Sequence, residues 1–198
     1  IHSDMKKLLF LPLLAILVMA ASVGVTNYNV DTAFSNIVWT GYKVTGQHTG
    51  NVKVKNGNIQ FTDGHLTGGS FEIDMNSISC TDLQGEYADK LIGHLKSDDF
   101  FGVATYPTAK FVITRVIPQD TKGNYKVLGD LNIKSTTKPA KLFVNIVDKG
   151  SEINVSGKLT VDRSEYDIRF GSGSFFDGLG DKTIYDEFDL QIWLVAKK

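Results

Sequence analysis

The chain has 198 residues, 42% of them hydrophobic, and a formal net charge of -1, which excludes the basic excess that a nucleic-acid partner requires. Its single cysteine, Cys80, excludes an internal disulfide framework and any cysteine-based zinc site, and its expected place is that of a small buried side chain.

Ile1 to Asp4 precede Met5 and read as a cloning remnant or an upstream extension. Met5-Lys6-Lys7 followed by the apolar run Leu8 to Ala20 has the layout of a secretory signal, and Val18 and Ala20 suit the positions before a cut near Ala21. The run is shorter than the ~20 residues that span a bilayer, and no other stretch is apolar enough to do so. The expected division is therefore a leader over residues 1–20 and one domain over residues 21–198, with no membrane span in the mature chain. Without Lys6, Lys7 and Asp4 the 21 basic and 22 acidic residues fall to a net charge of -2.

From Asn29 onward the pattern has period two. Ile153, Val155, Gly157, Leu159 and Val161 alternate with polar neighbours, as do Tyr125 to Ile133 and Phe188 to Ala196, so each strand has one apolar face. Weaker copies run over residues 37–44, 51–55, 58–62, 70–75, 109–116 and 141–147. Turn signals lie between them at Asn56-Gly57-Asn58, Asp63-Gly64, Lys122-Gly123-Asn124 and Lys149-Gly150-Ser151. The least strand-like stretch is Asp89 to Phe111, where Leu91, His94 and Leu95 at helical spacing predict a short lid helix followed by a loop. Period two leaves an antiparallel sandwich and a barrel open. The lack of any other long crossover, and Gly41, Gly46, Gly129 and Gly157 in or beside strands, favour an all-β antiparallel barrel with this helix and loop covering one end.

Catalytic motifs are not found. Gly171-Ser172-Gly173-Ser174 lacks the spacing of a nucleophile elbow and reads as a polar loop, and Asp98-Asp99 reads as solvated or capping carboxylates. His48, His65 and His94 are isolated in sequence, so no metal site is assigned, and no cofactor is expected.

Four blocks, in order, carry a resemblance: Asp31 to Trp39; His94-Leu95-Lys96-Ser97-Asp98-Asp99-Phe100-Phe101 with Tyr106-Pro107 and Phe111; Gly129 to Pro139; and Val161 to Ser172. Together they resemble the YceI-like family of periplasmic polyisoprenoid-binding proteins with a lipocalin-like barrel. Phe34 stands where many relatives have a histidine, and Leu91-Ile92 where many have an Arg-Asp pair, so the lid is more apolar here. The resemblance implies an eight-stranded antiparallel barrel whose interior holds a long isoprenoid, an isoprenoid quinone or a fatty-acyl species, in the periplasm and without catalysis.

Within that picture the inward candidates are Trp39, Phe71, Ile73, Phe111, Ile113, Val127, Leu131, Val155, Leu159, Phe188, Leu190 and Ile192, each of which would serve equally as core packing. The mouth candidates are Leu91, His94, Leu95, Phe100, Phe101 and Tyr106, with Arg163 and Arg169 as partners for an anionic headgroup. Arg163 has the alternative of a structural salt bridge beside Asp162. A barrel with a packed interior serving protein interaction, and a lipid-modifying enzyme, stay open as alternatives, as does a homodimer.

Overall fold

A computed structural model describes residues 24–198; the leader expected over residues 1–20 and the cut near Ala21 lie outside them. The strands in chain order are β1 (Val25–Val30), β2 (Asn36–Lys43), β3 (Gly46–Thr62), β4 (His65–Asp74), β5 (Thr108–Pro118), β6 (Asn124–Ile133), β7 (Thr136–Asp148), β8 (Glu152–Asp162) and β9 (Ile184–Lys197). Between β4 and β5 lies α1 (Gly85–Lys96), the one α-helix among the described residues. From β2 onward each strand pairs antiparallel with its successor, and β9 pairs back onto β2. β1 continues the β2 position, pairing with β3 from Val25↔Thr62 to Asn29↔Asn58 and meeting β9 at Val30↔Ala196. The result is a closed antiparallel barrel of eight staves, which leaves no open sheet edge.

Period two does the positioning. On β8, Ile153, Val155, Leu159 and Val161 stand opposite Ala196, Leu194, Leu190 and Phe188 of β9, all turned inward, while Asn154, Ser156 and Lys158 face out. Asp63 and Gly64 have φ of 50° and 79°, the paired left-handed backbone of a tight hairpin. Asn56-Gly57-Asn58, expected as a turn, is instead the middle of β3, which runs through it for 17 residues with a bulge between Val54 and Asn56. Close approach explains the glycine. A Cβ on Gly57 would stand 2.8 Å from Phe71 Cδ1, and one on Gly129 2.4 Å from Phe111 Cζ. Both rings therefore press against the wall, stacked on each other with centroids 6.5 Å apart.

The two ends differ. At the β1 end, Tyr28 is buried, donates its hydroxyl to Gly150 O (3.2 Å) and meets Phe61 edge-on at 5.6 Å, with Leu66, Ile146 and Ile153 also buried. That end is packed shut. The opposite end carries the β2–β3 turn, α1 with its flanking segments, and the long β8–β9 connection.

Candidate functional site

Under α1 lies a cavity of about 180 Å³, walled almost wholly by apolar atoms. Leu91, His94 and Leu95 turn into it from one face of the helix, at i, i+3 and i+4. A Glu86–Lys90 ion pair of 2.7 Å lies off this face, and Tyr87, one turn before Leu91 on the same face, is exposed at the start of the helix. After the helix the chain doubles back: Phe101 N–H donates to Leu95 O (3.1 Å), Gly102 N–H to Ser97 O (2.8 Å) and Val103 N–H to Lys96 O (2.9 Å). This fold-back drives Phe100 and Phe101 beneath the lid.

A line of aromatic contacts runs from the rim inward. Phe170 meets His94 at 4.3 Å, His94 meets Phe100 at 5.6 Å, Phe100 meets Phe101 at 5.3 Å, and Phe101 meets Phe188 at 6.3 Å. Within this line His94 Nε2 is shielded from solvent and has no hydrogen-bond partner. A buried polar atom left unpaired costs free energy that a ligand's hydrogen bond would recover.

Arg163 is 2% exposed and bonded to the protein itself. Its Nε donates to Tyr185 O (3.2 Å), Nη1 to Ile168 O (2.8 Å) and Nη2 to Ile184 O (2.9 Å). Nη2 also stands 3.3 Å from Asp186 Oδ1, an ion contact off the hydrogen-bond axis, while Asp186 Oδ2 accepts from Ser174 Oγ (2.6 Å). Burial lowers the Arg163 pKa and the Asp186 and Asp162 charges oppose that; a guanidinium stays charged in either case. The structural bridge beside Asp162 is thus made to Asp186 instead. Asp162 is occupied in accepting from Ser164 N–H (2.9 Å) and Ser164 Oγ (2.6 Å). Arg163 staples the β8–β9 connection to the start of β9, with the Phe100 ring 5.3 Å from its guanidinium carbon.

On the opposite side, a strap following β4 is laid along β3. Ser79 N–H donates to Asn51 O (3.0 Å) and Thr81 N–H to Thr49 O (2.9 Å), and Trp39 Nε1 is fixed by donating to Ser79 O (3.0 Å). Asp82 accepts from Thr49 N–H (2.9 Å) and Cys80 Sγ (3.2 Å) and is bonded to His48 Nδ1 (2.8 Å). Burial alone would raise the Asp82 carboxyl; the Thr49 amide, His48 and the Cys80 thiol outweigh it and hold the pKa at about 2. Cys80 is therefore half-buried against a carboxylate, the reverse of the cationic setting that activates a thiol.

Of the expected residues, Trp39, Ile73, Leu131, Phe188, Leu190, Leu91, His94, Leu95, Phe100, Phe101 and Arg163 line the cavity together. Phe71, Phe111, Ile113 and Ile192 pack partly buried against the core outside it, and Val127, Val155 and Leu159 are buried in that core. Tyr106 packs by Gly102, and Arg169 lies outside, bonded to Asp167 and 4.9 Å from the Phe175 ring. The wall also includes Ile37, Val52, Ala109, Ile133 and Ile184. Ile37, Ala109, Ile133 and Ile184 share the inward phase of Trp39, Phe111, Leu131 and Phe188, so the same periodicity could have found them. Gly41, Tyr42, Lys43, His48, Met75, Ile78 and Tyr185 complete it, and for the strap and turn residues among them no periodic signal existed.

A closed antiparallel barrel with an apolar cavity under a helical lid defines a class built to enclose a small or slender ligand. Within that class, residues 28–196 match the YceI-like domain, and the chain belongs to the YceI-like family. A UPF0312 protein of Shewanella denitrificans is 32% identical over 155 residues, 75% of this chain and 77% of that protein. BcnA of Burkholderia cenocepacia has a similar crystal structure, with a TM-score of 0.70 at 24% identity, covering 85% of this chain and 99% of BcnA. A Saccharophagus degradans structure, described as a polyisoprenoid binding domain implicated in plant cell wall breakdown, has a TM-score of 0.62 at 17% identity over 86% of this chain and 97% of that one. These likenesses in structure concern the fold.

Proposed function

We propose that the barrel binds a long-chain apolar lipid of the polyisoprenoid type, without catalysis, and carries or stores it in the periplasm. The observation that carries this reading is the unfilled interior: Trp39, Ile73, Phe101, Phe188 and Leu190 face a cavity of about 180 Å³ and remain only partly buried inside a closed barrel. Protein interiors that serve packing alone are filled to crystal density. The description of the Saccharophagus degradans neighbour as polyisoprenoid-binding supports the ligand class, and the secretory pattern of Met5 to Ala20 supports the compartment. Among the polar groups of the wall, Arg163 is engaged with backbone carbonyls, Tyr42 donates to Asp189 Oδ2 (2.8 Å) and His48 is bonded to Asp82, while His94 Nε2 alone is buried without a partner, which favours holding over chemistry.

An engineered apolar cavity of ~150 Å³ takes benzene, or about 25 Å³ per carbon. On that scale the cavity here takes about seven carbons, one isoprene unit and part of a second. A longer chain enters by displacing Phe101 and Phe188 and lifting α1, and a carbonyl or hydroxyl at its polar end has His94 Nε2 to bond. Native mass spectrometry of the protein from its host, followed by organic extraction, tests the reading. A stoichiometric polyprenyl or acyl species supports it. A mass that stays ligand-free after incubation with such lipids overturns it in favour of a packed interaction barrel.

A further inference from the structure

The mouth of the cavity is rimmed by large apolar side chains left in water. Val44 on the β2–β3 turn is 48% exposed, Phe170, Phe175 and Phe176 on the β8–β9 connection are 46%, 40% and 50% exposed, and Tyr185 at the start of β9 is 52% exposed. Backbone hydrogen bonds gather these segments: Val44 N–H donates to Thr183 O (3.2 Å), Ile184 N–H to Gly171 O (2.8 Å), and the N–H groups of Phe175 and Phe176 to Ser172 O (3.2 and 3.1 Å). The base is firm. Ser172 is fully buried, and Arg163 ties Ile168 O to Ile184 O beneath the rim. Single exposed apolar side chains are ordinary, but several gathered on one rim mark an interaction surface.

Resting on the lipid-binding reading above, we propose that this rim seats on the surface of a zwitterionic lipid bilayer, its aromatic side chains entering the headgroup boundary so that the cavity opens toward the acyl chains. The patch is continuous with the cavity: Tyr185 lines the cavity, and Phe170 lies 4.3 Å from His94 in its wall. Whatever covers the rim therefore meets the ligand's way in and out, and a bilayer is where a free polyisoprenoid resides. Charges choose the kind of bilayer. Arg169 is bonded to Asp167, and Lys43 and Lys182 are matched in number by Asp177 and Asp181, so the rim carries no net basic charge to favour anionic lipid. β1 begins with Val25 opposite Thr62 at the far, packed end, away from the rim.

Co-flotation with phosphatidylcholine vesicles tests the proposal, with lipid extraction from the same preparation and transfer of a fluorescent prenyl lipid as further readouts. Wild type should float with the vesicles at low and high salt alike. The Phe175→Glu/Phe176→Glu double variant should partition about tenfold less and transfer lipid more slowly, since charge cannot replace apolar insertion. Val44→Asp should move in the same direction, and Phe143→Glu on the outer wall, at a residue 56% exposed, should change nothing. Circular dichroism and melting confirm that each variant is folded. Unchanged partitioning of the double variant overturns the proposal, as does flotation that requires anionic lipid. A concentration-dependent dimer abolished by the double substitution, with no flotation, overturns it in favour of a second copy of the chain. Bound lipid without flotation sinks the docking and leaves lipid binding standing; flotation with an empty barrel supports the docking and sinks lipid binding.

Discussion

Replacing Ala109 by Phe tests the hollow interior through the sign of a stability change. Ala109 on β5 pairs with Ile73, is 6% exposed and lines the cavity. The substitution adds one phenyl ring, and an apolar cavity of ~150 Å³ is known to take benzene; the cavity here measures about 180 Å³. The ring therefore fits without moving the wall. Burying it is worth about 1.5–3 kcal/mol, and fixing its rotamer costs about 0.5–1 kcal/mol, which leaves about 0.5–2.5 kcal/mol of net stabilisation. For a domain of this size that corresponds to a rise in Tm of roughly 1–10 °C. The measurement is thermal and urea unfolding of delipidated wild type and Ala109→Phe, with lipid content of freshly purified protein as a second readout that should fall sharply. In a filled interior the same ring would overpack and cost about 1–3 kcal/mol. A lowered Tm, or a raised one with undiminished lipid content, refutes the reasoning.

Arg163→Met should destabilise the fold by about 3–5 kcal/mol in urea unfolding, because it strips donors from three carbonyls and leaves Asp186 without its counter-charge; a loss below about 1 kcal/mol refutes the staple. The Asp82 carboxyl is held at about 2, below its ordinary 3.8, so its contribution is present at neutral pH and is lost as pH falls from about 4 to about 2. Partial solvent screening reduces that contribution to about 1 kcal/mol, and Asp82→Asn should flatten the acid limb of the stability–pH curve by that amount; an unchanged limb refutes the network. His94→Phe should weaken binding of a polyprenol by about fivefold, the worth of one neutral hydrogen bond, and spare an equally long hydrocarbon. Equal effects on the two ligands would remove Nε2 from recognition.

The strands were legible because their signal is local, whereas their closure into a barrel rests on the pairing of β2 with β9, distant in sequence, and was favoured by the strand glycines and the family resemblance rather than by alternation. Ile153 to Val161 and Phe188 to Ala196 alternate cleanly, and they do so as facing strands of one wall. β1 escaped notice since Val25–Val30 carries a short, weak alternation whose inward Tyr28 is explained only by Gly150 and Phe61, distant in sequence. Asn56-Gly57 carries a hairpin signal, and only the Phe71 ring, supplied by the next strand, reveals that the glycine answers to close approach. The site was legible in direction but not in depth. Period two places Val155 and Leu190 inward alike, yet Val155 is buried in the core and Leu190 lines the cavity, a difference set by height along the barrel and by the lid. The partner of Arg163 is a choice between Asp162 and Asp186, which alternation cannot make across the β8–β9 connection.

The size of the cavity bears on how a bound chain is released. Each CH₂ taken from water gains ~0.8 kcal/mol, and a bilayer offers nearly the same gain, so chain length by itself hardly biases transfer between membrane and barrel. The bias comes from local terms. At ~24 cal/mol per Å³, leaving about 180 Å³ of apolar cavity empty costs about 4 kcal/mol, which the first seven or so carbons of a ligand recover. Later carbons gain nothing over the bilayer and must displace Phe101, Phe188 and the lid, so preference for the barrel should rise over the first isoprene units and then level off. On the proposed carrier reading, recognition would reside in the end of the chain that fills the cavity near His94, while the remainder would stay close to neutral. That division would hold the ligand firmly enough to keep it from water and loosely enough to return it to a membrane.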